Sequence, residues 1–183
     1  STIARTGVSA DAVTVAGFLL GLAAAAAIVM HRYVFALLLI LASRLCDGLD
    51  GAVARHTERT DRGGFLDIVL DFAFYAAIPL AFVLAEPERN AVAGAVLLAS
   101  FYINGSSFLA FAVMAEKRSL ESEARGEKSL FFTPGLAEAT ETIGVFVLLC
   151  LFPGAFAPIA YAFAAACLVT AAARIALAVR AFS

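Results

Sequence analysis

"RLCDGLDGAVARHTERTDRGGFLDIVLD", Arg44 to Asp71, interrupts an otherwise greasy chain. Mostly apolar runs lead into it and out of it, yet it holds Asp47, Asp50, Asp61, Asp67 and Asp71 among arginines and glycines. A carboxylate inside a membrane span costs about 2.5–3.5 kcal/mol on insertion scales, so each one needs a reason. Asp47 and Asp50 are three residues apart and Asp67 and Asp71 four apart, so each pair shares one face of a helix. If those helices are antiparallel neighbours joined near residues 56 to 62, the two pairs face each other. Four converging carboxylates repel unless cations sit among them, and hard oxygen ligands favour magnesium, manganese or calcium. Asp61 falls in the connecting turn and reads as a solvated residue or a helix cap.

The rest of the chain explains why the stretch stands out. Of 183 residues, 62% are hydrophobic and only 15% charged, where a soluble domain has about a quarter charged. Residues 12 to 30 carry no charge and are long enough to cross a hydrocarbon core of roughly 30 Å. Further apolar runs predict an all-α integral membrane protein, a single domain over residues 1–183 built as a bundle of six transmembrane helices. The expected spans are 11 to 30, 33 into the aspartate stretch, 62 to 85, 90 to 115, 136 to 151, and a sixth ending near 181. Sheets are not considered, because a lone helix satisfies all its backbone groups in lipid.

Six spans put both termini on one side. The turns after the first, third and fifth spans hold Arg32 and Arg89, while the opposite side holds nine of the 13 basic residues. The positive-inside rule makes that basic side, which also carries the aspartates and both termini, cytoplasmic. Cys46, Cys150 and Cys167 form no paired motif and read as buried free thiols. His31 and His56 lack the spacing of a metal site.

Gly48, Gly51, Gly63 and Gly64 flank the aspartates. A helical glycine costs about 1 kcal/mol relative to alanine, so the cluster suggests that something approaches the backbone. Arg55, one turn beyond Gly51, offers a fork of donors for a phosphate. Interhelical ion pairing with Arg44, Arg55, Arg59 or Arg62 is the other fate open to these aspartates. A cation transporter or channel would also use buried aspartates, but it does not account for Gly51, Ala54, Arg55 and Gly63 at fixed offsets.

Taken together, Asp47, Asp50, Gly51, Ala54, Arg55, Gly63, Asp67 and Asp71 resemble the CDP-alcohol phosphotransferase signature, D-x2-D-G-x2-A-R-x8-G-x3-D-x3-D. Seven residues rather than eight separate Arg55 from Gly63. The resemblance covers essentially the whole chain and is similar to bacterial inner-membrane members. It implies a transferase of phospholipid synthesis that moves a phosphatidyl group from CDP-diacylglycerol to a small polar alcohol, with release of CMP. It implies two Mg2+ or Mn2+ ions held by Asp47, Asp50 and Asp67, with Asp71 touching a metal and serving as the base. It implies CDP contacts from Gly51, Ala54, Arg55, Gly63 and Thr60, and from the D-x-x-T tetrapeptide Asp11 to Thr14. A homodimer in the inner membrane, with no nucleic-acid partner and the site facing the cytoplasm, completes that expectation.

The acceptor is less legible. Lys117, Arg118, Arg125 and Lys128 lie in a polar loop with four glutamates and are candidates for holding an acceptor phosphate. Glu138 and Glu141, three apart at the start of the fifth span, suit a cationic acceptor or favour the helix dipole. Asn104, Ser106, Ser107 and Arg174 either line the cavity or knit helices together.

Overall fold

The computed structural model describes residues 10–54, 60–117 and 137–182, with the side chains of residues 10, 47–54 and 182 outside that description. The described chain is helical: α1 Ala10–Val29, α2 Tyr33–Ala54, α3 Asp61–Ala85, α4 Pro87–Lys117, α5 Ala139–Leu151 and α6 Phe156–Phe182. A short 3-10 turn, Pro153–Ala155, joins the last two. Six helices are the number expected. Four of them, α1, α3, α4 and α6 with its preceding turn, are long and apolar enough to cross a membrane. α2, with 22 residues, runs from Tyr33 into the aspartate stretch as expected. α5 is shorter than the expected span, with 13 residues, about 20 Å at 1.5 Å per residue.

Local chemistry sets the boundaries. Val29 ends α1 because His31 takes a left-handed conformation, φ 57°. The His31 amide then donates to the Ile28 carbonyl and the Arg32 amide to the Ala27 carbonyl, both at 2.8 Å, the paired bonds that close a helix C-terminus. Thr60 caps α3 from an extended conformation, and its Oγ1 accepts from the Gly63 amide at 3.1 Å. Asp61 is exposed as expected, but it is the first residue of α3 rather than part of the turn, and Thr60, not Asp61, is the cap. Pro87 opens α4 three residues earlier than expected, since a proline at the first helical position loses no bond. α5 starts at Ala139 rather than 136, because Glu138 is extended and shares a capping box with Glu141.

α1 packs on α2 and α3, α4 on α6 and α3, and α5 on α2. Aromatic rings fill the centre. The Phe146 ring of α5 meets Phe74 of α3 at 5.9 Å and Phe101 of α4 at 6.5 Å, and Phe101 meets Phe163 of α6 at 5.8 Å. The short α5 thus sits as a plug held by rings from its neighbours. Far from the aspartates, Phe82 stacks on Phe156 at 5.3 Å. There Arg89 also donates to the Gly154 carbonyl at 2.7 Å. The outer faces are studded with exposed Leu, Val, Ile and Phe, as a bundle in lipid requires.

Two glycines set helix spacing. A Cβ on Gly21 would strike the ring of Phe74, itself 1% exposed, and one on Gly105 would strike Phe72. At Gly144, by contrast, a Cβ meets nothing within 4 Å. Gly21→Val is expected to destabilise the protein by about 1–3 kcal/mol through overpacking. Gly144→Ala should stabilise it by up to about 1 kcal/mol through helix propensity. Thermal unfolding in detergent, followed by intrinsic fluorescence, checks both; a neutral Gly21→Val would refute the close α1–α3 approach.

Candidate functional site at the facing ends of the first three helices

The site grows from two helix ends and one helix start. α2 remains helical through Asp47, Asp50 and Gly51 to Ala54, so the expected three-residue spacing of the first carboxylate pair falls on a continuous helix. α3 then carries Asp67 and Asp71 four residues apart. α1 begins with Asp11 and Thr14, and its packing on both neighbours brings this start to the signature.

Two groupings result. At the start of α3, a Cβ on Gly63 would lie 3.2 Å from Asp11 Oδ1 and 3.2 Å from Thr60 Oγ1. Asp11 Oδ2 also pairs with Arg62 Nε at 3.5 Å. Asp11, Thr60 and Gly63, separated by up to 52 residues in sequence, are therefore neighbours. Gly63 is small because the chain's own oxygens crowd it, whereas a Cβ on Gly64 would meet nothing within 4 Å. Of the two glycines before Asp67, only the first is held to its size by the surroundings described.

One turn and more deeper, Thr14, Gly17, Phe18, Arg44, Asp67 and Asp71 line a common cleft. Arg44 is held on several sides within it. Its Nη1 donates to Asp71 Oδ1 at 2.8 Å, and its Nη2 donates to Ser43 Oγ at 3.2 Å. Its guanidinium lies over the Phe74 ring, 4.2 Å from the centroid. Ser43, fully buried, donates in turn to the Gly17 carbonyl of α1 at 2.7 Å. The alternative fate weighed for the aspartates, ion pairing with an arginine, is realised here between Arg44 and Asp71.

Among the described residues no group of three or more His, Cys, Asp or Glu side chains converges. The side chains of Asp47, Asp50, Gly51 and Ala54 lie outside that description, as do residues Arg55, Arg118, Arg125 and Lys128 altogether. What is described suits a hard cation. Asp67 and Asp71 offer only oxygen donors to one cleft, and the carboxylate of Asp71 is already drawn to a positive charge.

A second polar cluster lies alongside. Arg174 of α6 donates through Nη1 to Asn104 Oδ1 at 2.9 Å, to the Asn104 carbonyl at 3.0 Å and to Ser107 Oγ at 2.8 Å. Asn104 Nδ2 donates to the Ala137 carbonyl at 3.2 Å, just before α5. Because Phe72 packs against Gly105, this cluster sits at the depth of Asp71. Of the two uses open to these residues, knitting helices together is the one their bonds serve. Glu138 and Glu141, both exposed, bond each other's backbone, the Glu138 amide donating to Glu141 Oε2 at 3.2 Å. Lys117 closes α4.

Sequence reasoning offered Arg44 as one of four arginines able to pair with the aspartates, without a place in the cleft, and gave Ser43 no part in the site. The available signal was a charge inside a span three residues before Asp47, hence on the same helix face.

Known proteins resemble this chain in sequence and fold. The family model for CDP-alcohol phosphatidyltransferase matches residues 8–179. An Escherichia coli protein described as inner membrane protein YnjF is 49% identical over 166 residues, covering 91% of this chain and 81% of that protein. The archaetidylinositol phosphate synthase of Pyrococcus horikoshii is 28% identical over 149 residues, 80% of this chain and 79% of that enzyme. Two crystal structures of the phosphatidylinositol phosphate synthase of Mycobacterium tuberculosis share the fold. One, with CDP-DAG bound, has TM-score 0.75 and 21% identity, covering 95% of this chain and 88% of the other. The second, in complex with manganese and citrate, has TM-score 0.68 and 22% identity, covering 95% and 84%. With its signature and six-helix fold matched over nearly its whole length, the chain belongs to the CDP-alcohol phosphatidyltransferase family.

Proposed function

We propose that this protein transfers a phosphatidyl group from CDP-diacylglycerol to a small polar alcohol, releasing CMP. The observation that carries the reading is the shared cleft of Thr14, Asp67 and Asp71, on a chain that holds every residue of the signature. Asp47, Asp50, Asp67 and Asp71 would hold two Mg2+ or Mn2+ ions, an all-oxygen set suited to either. Such ions, when bound, offset the charge of a pyrophosphate-linked donor. The related Mycobacterium enzyme has been crystallised with CDP-DAG and with manganese, which supports both the donor and the metal class.

The chain's own residues divide the remaining work. Gly51, Ala54, Arg55, Thr60 and Gly63, with Asp11 and Thr14 from α1, contact the CDP moiety. Arg55 meets phosphate through its fork of donors. Asp71 takes the proton from the acceptor hydroxyl as that oxygen attacks the phosphorus bearing diacylglycerol, and the bond to CMP breaks. The nine basic residues on the aspartate side support an orientation with this end of the bundle, and both termini, on the cytoplasmic side of a bacterial inner membrane. The nucleotide then stays in water while the acyl chains stay among the apolar outer faces. The homodimer that the family resemblance implies completes the reading.

For the acceptor, Lys117, Arg118 and Lys128 suit a phosphorylated alcohol. The archaetidylinositol phosphate and phosphatidylinositol phosphate synthases among the similar proteins support the same class. Glu138 and Glu141 would suit a cationic acceptor, but each is already engaged in the α5 capping box, so the phosphorylated alcohol is the better reading.

Purified protein with CDP-diacylglycerol, magnesium and a panel of alcohols should release CMP with at least one of them. EDTA and Asp71→Asn should each abolish release. Failure of CDP-diacylglycerol to bind or turn over with any divalent metal would overturn the reading. Asp67→Ala should weaken manganese binding at least tenfold by calorimetry, and unchanged affinity would remove Asp67 from the ligand set.

A further inference from the structure

Arg44 is not a signature residue, yet it is the most firmly held charge near the cleft. Three contacts fix it in space: the Asp71 carboxylate, the Ser43 hydroxyl and the face of the Phe74 ring.

 Arg44 and Asp71 themselves stand 27 residues apart, on α2 and α3. The Phe74 ring beneath the guanidinium is buried and wedged against Gly21. Ser43 holds Nη2 and is itself tied to the α1 backbone at Gly17. Asp71 takes Nη1 through Oδ1. The Arg44 side chain is only 16% exposed, so the charge is largely withdrawn from water and its attraction to the carboxylate is little screened.

We propose that Arg44 is a positioning residue: a fixed counter-charge that holds one oxygen of Asp71, with or without metal ions, and leaves the other oxygen to the reaction. The inference rests on the function proposed above and deepens it. Four carboxylates gathered at the end of a lipid-embedded bundle repel one another when no divalent ion is present. A guanidinium anchored by Ser43, Asp71 and Phe74 lowers that repulsion without entering the ligand set. The same positive charge opposes the arrival of further cations, so it moderates metal affinity while it orients the base. Losing it should therefore move metal binding and turnover in opposite directions.

The test compares wild type, Arg44→Met and Arg44→Lys in detergent, with manganese calorimetry on the metal-free proteins and steady-state CMP release. Arg44→Met should bind manganese at least threefold more tightly. Its kcat should fall at least tenfold, with KM for CDP-diacylglycerol changed less than threefold. Arg44→Lys, which keeps the charge, should bind manganese within twofold of wild type and recover part of kcat. If Arg44→Met does not survive purification, Arg44→Gln carries the same comparison. Unchanged or weaker manganese binding by the uncharged variant overturns the counter-charge role. A raised KM at unchanged kcat also overturns it, assigning Arg44 to donor binding instead. A wild-type protein that neither binds manganese nor releases CMP overturns the functional reading along with it.

Discussion

Charge withdrawn from water must be answered by charge, and the contact between Arg44 and Asp71 is where this protein meets that constraint most visibly. A lone ion in a low-dielectric setting is costly, and a buried pair is tolerable only when its remaining hydrogen-bonding groups are also engaged. Here the pair bridges α2 and α3, the two helices that carry the signature carboxylates. Ser43 extends the same network to the α1 backbone. Three helices that apolar contact alone would leave free to slide are thereby fixed in register at the site.

The two ends of the bundle are built differently. At one end, stacked Phe82 and Phe156, with Arg89 on the Gly154 carbonyl, close α3, α4 and α6 over a tight turn. At the other end, helix termini and polar side chains gather, and the Arg174 cluster draws α6, α4 and the approach to α5 together at the depth of Asp71. Phe146 ties the two halves through the centre.

Much of this was legible in the residues. Spacing alone placed Asp67 and Asp71 on one helix face, and the fixed offsets to Gly63 identified the signature. The D-x-x-T tetrapeptide at Asp11 to Thr14 was weak evidence as a pattern, yet the fold brings it to Gly63 and Asp67. Thr60 was legible as a position but not as a cap, because capping depends on the extended backbone that precedes α3. The start of α5 was misplaced because apolar composition does not reveal that Glu138 and Glu141 close on each other's backbone. Arg44 was visible as one of four arginines able to pair with the aspartates, but which of them meets which was not. An i to i+27 contact depends on which helices become neighbours, and that is settled by packing at places such as Gly21 against Phe74.

The central claim, that facing ends of α2 and α3 form a metal-dependent phosphatidyl-transfer site, is tested most directly by anomalous diffraction from crystals soaked in manganese. Two peaks between the helices, each within coordination distance of oxygens from Asp47, Asp50, Asp67 or Asp71, are the result expected. Absence of manganese there at saturating concentration, or peaks confined to other carboxylates such as Glu138 and Glu141, would contradict it.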